Sequence, residues 1–219
     1  MRAKSVVVSM VLLTVAPLVF PQDGIAQSSP AHAHIGHVAD AFRGTPDGMG
    51  LLGAAQAEAA VAAQHAGFAA RDLTDLDGMK RHMGHVLHAL NPEEAESGPG
   101  AGYGALAAAQ GVARHIALAA ASEGASDGVK THANHVATSA NNTVERIEKM
   151  IELAKSVQES ESASDAEEMV EELAALGALL AAGDDADGDG RIGWQEGEGG
   201  LDASATHVGL MKRGEGLGG

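Results

Sequence analysis

The feature that most constrains this chain is a short phrase used three times. His34-Ile35-Gly36-His37-Val38, His82-Met83-Gly84-His85-Val86 and His132-Ala133-Asn134-His135-Val136 each set two histidines three positions apart and end in valine. The second and third copies belong to a longer repeat that aligns without a gap at an offset of 50 residues. It carries His65 onto His115, His82 onto His132, His85 onto His135, Asp77-Gly78 onto Asp127-Gly128 and Asn91 onto Asn141. A period of this length marks a duplicated structural unit. Each unit holds a lone histidine and, seventeen residues later, a His-x-x-His.

Hydrophobic spacing says what the units are made of. No stretch alternates with period two, so strands are not expected. Met79, Met83, Val86 and Leu90 recur at helical spacing, and Val129, Ala133, Val136, Ala140, Thr143, Ile147, Met150, Ala154 and Val157 sustain the three-four alternation of a bundle seam. The reading is an all-α antiparallel bundle built from a duplicated helical hairpin, with helices at about 31–43, 51–71, 76–90, 103–122 and 127–158, plus a small separate C-terminal appendage with helices at about 165–182 and 201–212. Asp75 and Ser126 are N-cap candidates, and Ser164 with Glu167 forms a capping-box pattern. Aromatic residues are only 2% of the chain, so Ala, Leu, Val, Ile and Met must build the core. Burial stabilises by roughly 25 cal/mol per Å², and alanine has little area to bury. Such a bundle gains from bound ligands or metals.

Residues 1–26 read as a secretory signal: Arg2 and Lys4 lead, Val6–Phe20 is the apolar core, and Gly24-Ile25-Ala26 precedes the cut. The expected divisions are a His-rich bundle over 27–158, an acidic Ser/Glu linker over 159–164, a calcium-binding region over 165–213 and a tail over 214–219. The protein is expected to be periplasmic or secreted, with no membrane span. A net charge of −16 argues against nucleic acid as a partner and favours cations; no protein partner is indicated. With no cysteine there is neither a disulfide nor a thiolate metal site.

In an antiparallel hairpin, residues equidistant from the turn share a level. His65 and His82 are equidistant from a turn near residues 73–74, and His115 and His132 from one near 123–124. The candidate metal ligands are therefore His65, His82, His85, His115, His132 and His135, three per hairpin, with His34, His37 and His88 as further candidates. His32 and His207 read as bystanders. The layout parallels carboxylate di-iron bundles, where two helices give a Glu and two give Glu-x-x-His. Imidazole in place of carboxylate shifts preference toward zinc or copper. Three histidines with an open position also form the ligand set of catalytic zinc. The pattern resembles type-3 dinuclear copper centres in ligand count and symmetry only. Haem, held by paired histidines, is a further alternative, disfavoured by the scarcity of aromatics and the lack of Cys-x-x-Cys-His.

Near the C-terminus, Asp185, Asp187 and Asp189 occupy alternate positions before Gly190; Arg191, Ile192 and Gly193 follow, and Glu196 closes a twelve-residue run. This run resembles the EF-hand calcium loop. The resemblance implies carboxylate ligation by Asp185, Asp187, Asp189 and Glu196, a backbone carbonyl from Arg191, an apolar contact from Ile192 and water in place of the Gly193 side chain. The glycines of 197–200 depart from the pattern where an exiting helix should begin.

No G-x-S-x-G nucleophile motif or phosphate-binding loop is present. The leading expectation is thus an exported calcium-binding protein whose bundle binds zinc or copper for buffering, delivery or sensing. The alternatives are a dinuclear metalloenzyme, with Glu58 as the one candidate base, and a calcium-stabilised structural protein.

Overall fold

Seven α-helices are found in the computed structural model, which describes residues 29–218: α1 Pro30–Ala39, α2 Leu51–Ala69, α3 Leu76–Leu90, α4 Ala105–Ala121, α5 Asp127–Glu159, α6 Ala163–Ala182 and α7 Leu201–Gly214. The signal read over 1–26 lies outside the described residues. Four helices begin on a side-chain cap that accepts an otherwise orphaned N–H. Ser29 accepts from His32, Asp75 from Gly78, Ser126 from Val129 and Ser162 from Asp165. Ser162 starts α6 ahead of the expected Ser164, because Ser162, two residues upstream of that expected cap, accepts from the Asp165 N–H. Only Ser160–Ser162 is left as a connection after α5.

Every residue of the expected α5 seam is buried, as is the Met79–Leu90 stripe of α3. At 33 residues α5 spans about 50 Å. It packs against α3, α4, α6 and α7, while α2 packs against α3, α4 and α6, and α1 lies on α4. Small residues set these spacings. A Cβ at Gly177 of α6 would come within 3.1 Å of the Ala63 backbone of α2, so glycine lets the two helices meet. Val170, Leu173, Leu180, Leu201, Val208 and Met211 join the same apolar core as the earlier helices. The C-terminal helices are therefore layers of the bundle and do not stand apart from it.

α1 ends at Ala39, short of the expected 43, because Ala41 turns into a bridge with Met49. Thr45 Oγ1 donates to the Phe42 and Met49 carbonyls and closes this connection, which fixes Phe42 beside α1. Among the described residues there are isolated bridges but no strand, and no helix is long and apolar enough to cross a membrane.

Candidate metal centres

Every helical histidine except His32 stands one residue before a core position. Ile35, Val38, Ala66, Met83, Val86, Ile116, Ala133, Val136 and Val208 are all buried, and the histidine preceding each is half-buried. One residue is a rotation of about 100° on a helix. The imidazoles thus leave the edge of each apolar stripe and face a neighbouring helix rather than the centre of the core.

Nine of them meet in three groups of three. His34 and His37 of α1 meet His115 of α4; His82 and His85 of α3 meet His65 of α2; His132 and His135 of α5 meet His207 of α7. In every group the Nδ1 atoms converge. Nδ1 of the lone histidine lies 3.0, 3.0 and 3.1 Å from the first member of the pair, and 3.3, 3.2 and 3.3 Å from the second. The rings repeat as well. Centroid distances from the lone ring to the first are 5.2, 5.2 and 5.3 Å, and between the paired rings 5.9, 5.8 and 6.0 Å. One arrangement has been built three times.

Three neutral imidazoles cannot satisfy three Nδ1 atoms with one another, since each atom is either a donor or an acceptor. A shared cation satisfies all three lone pairs at once. With metal–nitrogen bonds of about 2.0–2.1 Å, the two separations from the lone histidine in each triad correspond to N–metal–N angles of about 90–110°, within the range of a three-histidine zinc site. Haem geometry is different: axial imidazoles sit about 4 Å apart on opposite faces of the iron, at twice a metal–nitrogen bond.

Electrostatics favour the ligating form. Burial, and then the charge of neighbouring imidazoles, lowers the pKa of His34, His65, His115 and His207 below the ordinary 6.5. His82 and His135 are lowered in the same order of causes, with Arg81 and Arg71 adding to His82. Metal binding needs neutral imidazole, so depressed values keep the sites ready at neutral pH.

Each group also has an aromatic neighbour. Phe42 sits 5.4 Å from His37 and 5.1 Å from His115, and Phe68 lies 5.3 Å from His65 and 5.5 Å from His82. Trp194, the single tryptophan, stacks on His135 at 3.9 Å. In a chain so poor in aromatics, this placement supplies an apolar wall to each site.

No protein-family model, no curated protein and no solved structure matches this chain.

The structure brings His65, His82 and His85 together as the hairpin argument expects. It does not bring His115 to His132 and His135. Equal height fixes only the axial position; the direction in which His115 leaves α4 takes it to α1. The place left on α5 is filled by His207 from α7. A six-histidine dinuclear centre made from the two hairpins is not the arrangement present. His207, read as a bystander, is a full member of a triad, and the sequence held a signal for it. Ala63-Gln64-His65-Ala66-Gly67-Phe68, Ala113-Arg114-His115-Ile116-Ala117-Leu118 and Ala205-Thr206-His207-Val208-Gly209-Leu210 share one pattern. The lone histidine is thus tripled, like the pair. His88 pairs with the Ala95 carbonyl, and His32 with Glu215, outside the triads. Glu58 is buried two turns before His65 and accepts from the Ala101, Tyr103 and Gly104 N–H groups, so it organises a loop.

In the acidic loop, carboxylate oxygens of Asp185, Asp187 and Asp189 lie within 4.8 Å of one another. The Gly190 N–H donates to Asp185 at 2.9 Å, Asp189 N–H to Asp187 at 3.0 Å, and Arg191 N–H to Asp189 at 2.8 Å. Gly188 and Gly190 take φ of +74° and +84°, which a side chain would oppose. Glu196 is exposed beside Asn141 and Glu145 of α5, outside the aspartate group. Ile192 is 47% exposed instead of buried, and the next helix waits until Leu201. The segment after the loop is held by α5: Arg146 donates to the Gly197, Glu198 and Gly199 carbonyls, and Asn142 to those of Gln195 and Gly199.

Proposed function

We propose that this protein binds three transition-metal ions, one at each histidine triad, and works as an exported buffer or carrier for zinc or copper. The observation that carries the reading is the triple convergence of Nδ1 atoms at 3.0–3.3 Å with the same ring geometry each time. A single cluster of histidines can arise from packing; three matching clusters on three different helix pairs call for a common ligand. Imidazole ligation suits zinc and copper, and half-buried sites exchange ions with solvent. The direct experiment is metal analysis after saturation with zinc or copper and dialysis. Three equivalents per chain are expected; fewer than one means that the triads do not bind metal.

A calcium ion at Asp185, Asp187 and Asp189 is a second element of the proposal. It is favoured by the three converging carboxylates and by Asp185 Oδ1, which is buried without a hydrogen-bond partner. Extracellular calcium suffices for sites with dissociation constants on the order of 10⁻⁴–10⁻³ M. Calcium titration should alter Trp194 fluorescence and raise the melting temperature. If neither responds, the loop is only an acidic turn.

A further inference from the structure

The three triads have the same ligands but different surroundings. The His115 side of the first triad forms the wall of a pocket of about 350 Å³, lined also by Phe42, Leu51, Tyr103, Gln110, Gly111 and Arg114. Small-molecule sites are concave, largely apolar and furnished with a few polar groups that fix orientation. Phe42, Leu51 and Gly111 give the apolar part here; Tyr103, Gln110 and Arg114 give the polar part.

We infer that the first triad, once metallated, binds a small carboxylate with a compact apolar body, the carboxylate completing the metal's coordination and the body lying in this pocket. The inference rests on the metal-binding reading above. The chain carries −16 in total, which repels anions, so an anion needs a strong nearby positive charge. A divalent ion on three neutral imidazoles would keep its full +2 and have room for a fourth ligand. Arg114, adjacent to His115 and lining the pocket, adds a second positive group with the planar fork that suits carboxylate. Leu51 and Phe42 then favour an apolar body over a bare ion. No bond is made or broken in the ligand; the step is exchange of a metal-bound water for an oxygen of the carboxylate.

The test uses the full chain with the other two triads disabled by His82→Ala, His85→Ala, His132→Ala and His135→Ala, loaded with cobalt(II). The visible cobalt band reports the coordination of the remaining site. Benzoate should shift the band saturably and at lower concentration than acetate. Arg114→Leu should weaken benzoate about tenfold, the loss of one charge-assisted contact, and leave cobalt affinity unchanged. A cobalt band that neither carboxylate moves overturns the inference while the metal reading stands. A response to inorganic phosphate alone overturns the ligand class. If no cobalt binds, the inference and the metal reading fail together.

Discussion

If each triad is an independent site, metal should stabilise the fold in three equal instalments. A ligand that binds only the folded chain contributes about 2.7 kcal/mol when its free concentration is one hundred times its dissociation constant. Three sites contribute about 8 kcal/mol in total. For a domain of this size each kcal/mol raises the melting temperature by about 2–4 °C, so saturation with zinc should raise it by about 16–32 °C. The perturbation is removal of one lone histidine at a time: His65→Ala, His115→Ala or His207→Ala. Each leaves a two-histidine remnant in one triad and the other two intact, so each variant should lose about a third of the shift, about 5–11 °C. Imidazoles of the unfolded chain also bind metal, which scales all shifts down but keeps their ratios. Differential scanning calorimetry with and without zinc, against a matched apo control for each variant, gives the answer. If His207→Ala leaves the shift whole, or if any single variant abolishes it, the reasoning from three equivalent sites is wrong.

Other outcomes follow from the same geometry. Copper(II) bound at the third triad should quench Trp194, which stacks on His135; His132→Ala with His207→Ala should abolish quenching and leave uptake at the other triads. Acid should release metal. Folding lowers six triad histidines below 6.5, so the unfolded apo chain binds more protons just below that pH. Apo stability should therefore fall as pH drops below about 6.5 and level off above it, as urea titrations at pH 5.5 and 7.5 would show; equal midpoints would contradict this. Arg146→Ala removes the side-chain donor of the Gly197 and Glu198 carbonyls and one of the two donors to Gly199, and should cost about 2–4 kcal/mol in urea unfolding; a loss below about 1 kcal/mol would mean that the loop does not depend on this clamp.

Most of the bundle was legible because its local signals agree. Asp75 and Ser126 begin helices where capping chemistry puts them, and the heptad-like seam of α5 is buried along its whole length. The triad of His65, His82 and His85 was legible for the same reason: both helices belong to one hairpin, and seventeen residues separate the first contact. The other two triads join helices 81 and 75 residues apart, and hairpin symmetry says nothing of such pairings. Three helices, α1, α2 and α5, pack against α4. Only the direction of the His115 side chain decides between them, and packing sets that direction. In the acidic loop Asp185, Asp187 and Asp189 lie together, while Glu196 lies outside their group. Glycines 197, 199 and 200 delay the next helix, and Trp194 turns toward a histidine that the loop pattern does not anticipate.

Those separations have a kinetic consequence. Before the chain is folded, an ion that joins the middle triad closes a loop of about seventeen residues, while the outer two must gather chain from 75 and 81 positions away. Closure entropy grows as three halves of RT times the logarithm of loop length, so the short ring is favoured by about 1.4 kcal/mol, roughly tenfold. The first ion to arrive on a nascent chain would therefore settle between α2 and α3 and staple a nucleus onto which the distant helices later dock.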